Sequence, residues 1–123
     1  MSIKRILALS TLALALACAV TSSAFAHAKL QSSDPKAGST LGSAPKQVRL
    51  KFNEALEPAF SKITLLGTGN KEIPIGGATV DKADPSVMTA TLPPLSAGAY
   101  RIQWSAMTHD GHKKKGDVPF TVK

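Results

Sequence analysis

The stretch Val48-Arg49-Leu50-Lys51-Phe52 alternates apolar and basic residues, and a period of two is typical of a β-strand with one buried face. Similar short stretches recur along the chain, separated by glycine and proline. They predict further strands at Ala28–Ser32, Lys62–Leu66, Lys71–Ile75, Val87–Leu92, Ala99–Ala106 and Val118–Val122. The stretch at Ala28–Ser32 is expected to be an edge strand.

Breakers between these stretches leave no room for a long helix. They include Asp34-Pro35, Gly76-Gly77 and Pro93-Pro94, and residues 54–60 could form only a turn or two of helix. Short strands at this spacing, within about a hundred residues, predict an all-β fold, an antiparallel Greek-key β-sandwich or barrel. Trp104 lies in the longest predicted strand and is expected to be the central aromatic residue of the core.

The first 26 residues have the layout of a secretory signal peptide. Lys4 and Arg5 precede an apolar run at 6–20, and Ala24-Phe25-Ala26 offers small residues at a cleavage site. The apolar run is too short to predict a membrane span. Cleavage after Ala26 leaves a single domain, residues 27–123, which begins with a histidine.

The cysteine content agrees with export of a domain without disulfides. Cys18 is the only cysteine of the chain, and it is removed with the leader. An alternative is lipoprotein processing at Cys18, although Ala15 stands where such sites usually carry leucine. The mature domain is therefore predicted to be exported.

The positive charge of the chain does not indicate a nucleic-acid-binding protein. Loss of Lys4 and Arg5 lowers the formal net charge from +7 to +5, and the remaining bases are scattered. Aromatic residues, which would stack on bases, make up only 5% of the chain. The run Lys113-Lys114-Lys115 is interpreted as a solvated loop.

The motif His109-Asp110-Gly111-His112 is the first candidate for a functional site. Asp110-Gly111 predicts a turn, and an extended or bulged backbone can direct the side chains of Asp110 and His112 the same way. A carboxylate oxygen and an imidazole nitrogen would then converge. The pattern is weak by itself, because Asp-x-His is frequent by chance.

His27 strengthens the hypothesis of a metal site. As the residue after the cleavage point, it would carry two nitrogen donors, its α-amine and Nδ1, which can chelate one metal ion. Both groups lose their protons near neutral pH. Together with His112 and Asp110 they provide three nitrogens and one oxygen, a donor set suited to Cu(II). Pairing of the N-terminal edge strand with the penultimate strand is expected to bring these residues together.

Both ends of the predicted domain resemble the CopC family of periplasmic copper-resistance proteins. The resemblance rests on His27-Ala-Lys-Leu-Gln-Ser-Ser-Asp-Pro near the start, on Gly98-Ala-Tyr-Arg-Ile-Gln-Trp104, and on Asp110-Gly-His112 near the end. The two ends are specific together, although neither is specific alone. The resemblance implies a cupredoxin-like or immunoglobulin-like β-sandwich or barrel that binds one Cu(II) ion per chain in the periplasm.

The resemblance also implies site residues and partners. The ligands would be His27, Asp110 and His112, with Glu54 as a weak ligand or a contact in the outer coordination shell. The partners would be a copper ion and an inner-membrane copper transporter, and the protein is expected to be a monomer that binds no nucleic acid.

The chain departs from part of this family in its methionines and in one histidine. The mature domain retains only Met88 and Met107, far apart in sequence, so no Cu(I) site is expected and Met88 is assigned to the core. His109 stands where the family usually has a small residue. We interpret it as a surface histidine that points away from the metal, with metal binding as the alternative.

Three classes of function remain open on the sequence. The first is a copper-binding protein that carries, buffers or delivers the ion. The second is a copper enzyme, because an N-terminal histidine chelate with a second histidine resembles the histidine brace of lytic polysaccharide monooxygenases. The third is an adhesion or scaffold domain, which leaves the coincidence of His27 with the cleavage point unexplained. The first is preferred, and the protein is not expected to be an enzyme.

Overall fold

The computed structural model describes residues 28–123; the predicted leader and His27 lie outside the described residues. In the described part the chain forms short strands and two single 3-10 turns, Pro58–Phe60 and Thr68–Asn70. The strands are β1 (Leu30–Asp34), β2 (Ser39–Leu41), β3 (Gln47–Phe52), β4 (Lys62–Leu66), β5 (Glu72–Ile73), β6 (Thr79–Val80), β7 (Val87–Thr91), β8 (Gly98–Met107) and β9 (Lys113–Val122). No helix among these residues is long and apolar enough to cross a membrane.

The strands form two sheets. One has the order β1-β3-β7-β6 and the other the order β2-β9-β8-β4-β5. All pairs are antiparallel except β2 with β9, which run parallel. The predicted all-β sandwich is confirmed, with one parallel pair at an edge that the sequence pattern did not indicate.

The core lies between the two sheets and follows the alternation from which the fold was predicted. Val48, Leu50 and Phe52 of β3 are fully buried or nearly so, whereas Arg49 between them is exposed. Trp104 of β8 is 6% exposed and meets Phe52 edge to face, with ring centroids 4.9 Å apart. The prediction of a buried Trp104 in the core is therefore confirmed, and its contact joins the two sheets.

One expectation about the strands is wrong, and two strands were not predicted. The lysine run 113–115 is not a loop, because β9 begins at Lys113 and pairs with β8 from Met107 onward. Backbone pairing of a long hairpin holds these residues extended while their side chains remain exposed. The short strands β2 and β6 were not predicted, since three or two residues carry too little alternation to be recognised.

The expected pairing of the N-terminal strand with the penultimate strand is also wrong. β1 lies at an edge, as predicted, but it pairs with β3, whereas the penultimate strand β8 belongs to the other sheet. The two sheets are connected at one end by the chain that leaves β3. There Leu56 forms an isolated bridge with Thr108, and the Glu57 amide donates to the Met107 carbonyl at 2.8 Å.

Candidate metal centre

The turn between β8 and β9 carries the His-Asp-Gly-His motif. It is closed by two backbone hydrogen bonds, from the Thr108 amide to the His112 carbonyl at 3.1 Å and from the Gly111 amide to the Thr108 carbonyl at 2.9 Å. Gly111 has a φ of +87°, a conformation that a side chain would disfavour. The local sequence therefore determines a tight turn at the end of a long hairpin, which holds residues 108–112 in place.

Asp110 and His112 are brought together within this turn. The His112 ring, through Nδ1, lies 2.9 Å from Oδ2 of Asp110, and the His112 amide donates to Oδ1 at 3.2 Å. The hydroxyl of Thr108 also donates to Oδ1. Both side chains remain accessible, with 55% of His112 and 36% of Asp110 exposed. The spacing of i and i+2 thus produces the side-by-side placement expected from the sequence.

These hydrogen bonds stabilise the ionised form of Asp110. The Thr108 hydroxyl is the largest cause, followed by the His112 side chain, and together they lower the pKa of Asp110 from 3.8 to about 2. A carboxylate that stays negative across the physiological range is a hard anionic donor for a cation. The turn therefore presents an anion and an imidazole at one exposed point.

The segment after β3 forms the opposite wall. Together with Thr108, His109 and Asp110, Glu54 and Ala55 line a cavity of about 400 Å³. Oε2 of Glu54 is buried and has no hydrogen-bond partner among residues 28–123. A buried carboxylate oxygen without a donor is energetically unfavourable unless a cation or a donor supplies what is missing. Glu54 therefore belongs to the same end of the molecule as Asp110, as a candidate oxygen donor.

The first described residues run beside this wall. Ala28 is completely buried, and Lys29 exchanges hydrogen bonds with Asn53: its amide donates to Oδ1 at 2.7 Å, and its carbonyl accepts from the Asn53 amide at 3.0 Å. The chain therefore enters the sandwich next to Glu54. His27 itself lies outside the described residues.

His109 has a different partner from the other histidine. Its Nδ1 contacts Oε1 of Glu57, and 64% of the side chain is exposed. It is a surface histidine, as expected, and its ring is engaged with a carboxylate that was not predicted as part of the site. Glu57 could not have been found from local spacing, because it reaches His109 only through the bridge between the two sheets. Thr108 could have been found, since a hydroxyl two residues before an aspartate is a common turn contact.

The described residues do not by themselves complete a metal site. Within residues 28–123 no group of three or more histidine, cysteine, aspartate or glutamate side chains is close enough to hold a metal ion. Asp110 and His112 provide two donor groups of the kinds that fit Cu(II), and further donors must come from elsewhere. The two methionines of the domain do not form a paired thioether site. Met88 is fully buried in the core, and Met107 is far from it along the chain.

The chain is similar to known proteins over almost all of the described residues. The family model described as the CopC domain matches residues 30–123. Copper resistance protein C of Escherichia coli is 39% identical over 111 residues, which cover 85% of this chain and 87% of that protein.

Two further similarities concern a transport protein and a solved structure. Copper transport protein CutJ of Bacillus subtilis (strain 168) is 34% identical over 99 residues, which cover 80% of this chain and only 18% of that longer protein. The crystal structure of CopC from Methylosinus trichosporium OB3b superimposes with a TM-score of 0.75 at 32% identity, covering 79% of this chain and 94% of that one.

Proposed function

The chain belongs to the CopC domain family, and we propose that it binds one Cu(II) ion per chain in the periplasm, for copper resistance or homeostasis. The observation that carries the proposal is the Asp110–His112 pair, whose Oδ2 and Nδ1 lie 2.9 Å apart in an exposed turn beside the end of the sandwich where the described residues begin. The names of the similar proteins, which refer to copper resistance and copper transport, support copper as the ion.

The proposed ligands are His27, Asp110 and His112. Cleavage after Ala26 would free the α-amine of His27, and one peptide unit of about 3.8 Å joins its Cα to that of Ala28. Burial of Ala28 and the pairing of Lys29 with Asn53 anchor that end of the chain near Glu54. Three nitrogens and the Asp110 oxygen would form a donor set of the kind that Cu(II) prefers.

Glu54 is proposed as a weak ligand or a contact in the outer coordination shell. Its buried Oε2 has no partner among residues 28–123, and it lines the same cavity as Asp110. Such a carboxylate can accept a hydrogen bond from a ligating group and hold it in orientation. His109, whose ring contacts Glu57, is proposed to stay outside the copper coordination.

We propose binding rather than catalysis as the role of the copper. The anionic Asp110 favours Cu(II), and the buried Met88 leaves the described domain without a pair of thioethers for Cu(I). Both features oppose cycling between the two oxidation states, which an oxidative copper enzyme requires. The protein would act as a monomeric carrier or buffer, or deliver the ion to a copper-transporting membrane protein.

The decisive experiment compares the protein that begins at His27 with a version that carries one additional alanine before it. Every side chain is retained in the second protein, but the α-amine no longer forms a chelate with the His27 ring. Titration with Cu(II), followed by electron paramagnetic resonance, is expected to show one tight site in the first protein and weakened binding with fewer nitrogen couplings in the second.

Two substitutions serve as comparisons. His112→Ala removes one nitrogen and is expected to weaken Cu(II) binding without abolishing it, whereas His109→Ala is expected to leave both affinity and spectrum unchanged. Equal affinity of the two N-terminal forms would show that the amine is not a ligand, and the assignment based on signal cleavage would then be wrong.

A further inference from the structure

The outer face of the five-stranded sheet gathers lysines that are scattered in the sequence. Lys62 of β4 and Lys115 of β9 are both paired with Ser105 of β8, and Lys113 is paired with Met107 two positions further along. Directly paired residues point to the same side of a sheet. All three lysines are exposed, and they lie on the side opposite the buried Trp104. Three positive charges therefore stand together on this face.

The lysines have no acidic partners in ion pairs. The ion pairs among the described residues join Lys51 to Asp84, His109 to Glu57 and His112 to Asp110, and none involves Lys62, Lys113 or Lys115.

Other charged groups of this face lie farther from the turn. Glu72 and Asp117 line a shallow cavity of about 540 Å³ together with Lys62 and Lys115, and Arg101 donates to Asn70. Around Lys113 this face of the sheet carries lysines, and the nearby carboxylates of Glu57 and Asp110 are paired with His109 and His112.

An exposed aromatic residue lies at the same end. Phe60 is 57% exposed, and among residues 28–123 no other large hydrophobic residue is exposed. Its 3-10 turn is fixed beside Met107, because the Glu57 amide donates to the Met107 carbonyl and the Met107 amide donates to Oγ of Ser61 at 3.2 Å. Aromatic residues are enriched at the centre of protein interfaces, and the rim around them is polar.

We propose that Phe60, Lys62, Lys113 and Lys115 form a docking face for a protein partner that presents an acidic surface with an apolar recess. Lys113 directly follows His112, so a partner bound on this face would lie next to the proposed copper site. The inference rests on the proposed function in so far as the partner would receive or supply the ion.

The shape and charge of the face favour a protein over a lipid surface. The cavity beside the lysines is concave and contains Glu72 and Asp117, which would face anionic headgroups unfavourably. A protein partner can fill a concave polar surface with its own side chains. It can also place its acidic groups opposite the lysines and away from the two acids of the cavity.

The test uses the protein that begins at His27, labelled with ¹⁵N, and a synthetic peptide rich in glutamate with interspersed leucine. Binding at low salt is expected to shift the amide signals of Phe60, Lys62, Lys113 and Lys115, and to weaken as salt is added. Lys62→Glu/Lys113→Glu/Lys115→Glu is expected to lower the affinity at least about tenfold. Phe60→Ser is expected to lower it about threefold or more while leaving the salt dependence unchanged.

A matched control separates a specific face from net charge. Lys36→Glu/Lys46→Glu/Lys82→Glu changes the net charge equally at exposed positions elsewhere, and it is expected to lower the affinity less than about threefold. Equal losses in the two triple variants would overturn the proposal. A second outcome would also overturn the proposal: the protein binds phosphatidylglycerol vesicles but not the peptide, and the vesicle binding is lost in the first triple variant. The face would then recognise lipid.

The Cu(II) titration of the same variants keeps this inference distinct from the proposed function. Both triple variants and Phe60→Ser are expected to bind Cu(II) as the unsubstituted protein does. Absence of Cu(II) binding in the unsubstituted protein would refute the proposed function, whereas unchanged Cu(II) binding with no peptide contact would refute only the docking face.

Discussion

The hydroxyl of Thr108 is the main group that lowers the pKa of Asp110. It donates to Oδ1 and is the largest cause of a pKa lowered to about 2, ahead of the His112 side chain. A group that donates a hydrogen bond to a proposed ligand orients this ligand and favours its charged form. It would influence a bound metal indirectly, as groups around metal ligands commonly do. Asp110 should therefore keep its charge during acidification until the pH approaches 2, so protonation of this carboxylate should contribute to copper release only at such low pH.

Thr108→Val replaces this hydroxyl by a methyl group of similar size, and it is expected to raise the pKa of Asp110 toward its ordinary value of 3.8. Because the folded pKa lies below the unfolded one, these hydrogen bonds stabilise the fold above about pH 4, and that stability is lost as pH falls toward 2. A ¹³C titration of the Asp110 carboxyl in metal-free protein measures the shift. Thr108→Ser keeps the hydroxyl and should keep the low pKa; a low pKa in the valine variant would assign the effect to His112 instead.

The long hairpin of β8 and β9 is the element that positions the turn, and Gly116 is a fixed requirement within it. Trp104 is paired with Gly116, and a Cβ built on the glycine would lie 2.4 Å from Cζ2 of the indole. The contact is with a ring in the core between the sheets, so it cannot be relieved by rotating a flexible side chain. The indole of Trp104 can therefore occupy its position only because residue 116 is a glycine.

Gly116→Ala is expected to destabilise the protein by about 1–3 kcal/mol through this overlap. Urea unfolding followed by tryptophan fluorescence measures the loss, and the same substitution should alter the near-ultraviolet circular dichroism of Trp104. Gly76→Ala is the control, because nothing lies within 4 Å of its added Cβ, and it should change stability by less than about 0.5 kcal/mol. A stable Gly116→Ala variant with an unchanged tryptophan signal would contradict the packing described here.

Elements were predictable from sequence where a period of two persists over several residues. The alternation at 48–52 and the stretch at 62–66 became β3 and β4, the second with the expected bounds. The start of β9 was missed because Lys113, Lys114 and Lys115 carry no alternation. Their extended form comes from pairing with β8, an interaction between segments that a local pattern does not contain.

At the scale of the whole molecule, the candidate site depends on an arrangement that sequence spacing could not provide. Proximity of Asp110 and His112 follows from two positions in one turn and was predictable. The Glu54 segment approaches that turn because Leu56 forms a bridge with Thr108 between the two sheets. The expected route, pairing of β1 with β8, does not occur, because these strands belong to different sheets. The tertiary fold, and no local motif, brings the Glu54 segment to the last hairpin.

Copper bound to both His27 and the turn would connect the first residue of the domain to its last hairpin, so it should stabilise the fold. Free Cu(II) at a hundred times its dissociation constant would add about 2.7 kcal/mol to the free energy of unfolding. For a domain of this size that corresponds to a rise in Tm of roughly 10–20 °C. Differential scanning calorimetry with and without Cu(II) measures it, and Asp110→Ala/His112→Ala, which lacks the donors of the turn, should show a much smaller rise. Saturated Cu(II) binding without any rise in Tm would mean that the unfolded chain binds the ion equally well, and the folded arrangement of the turn and the N-terminus would then contribute nothing to binding.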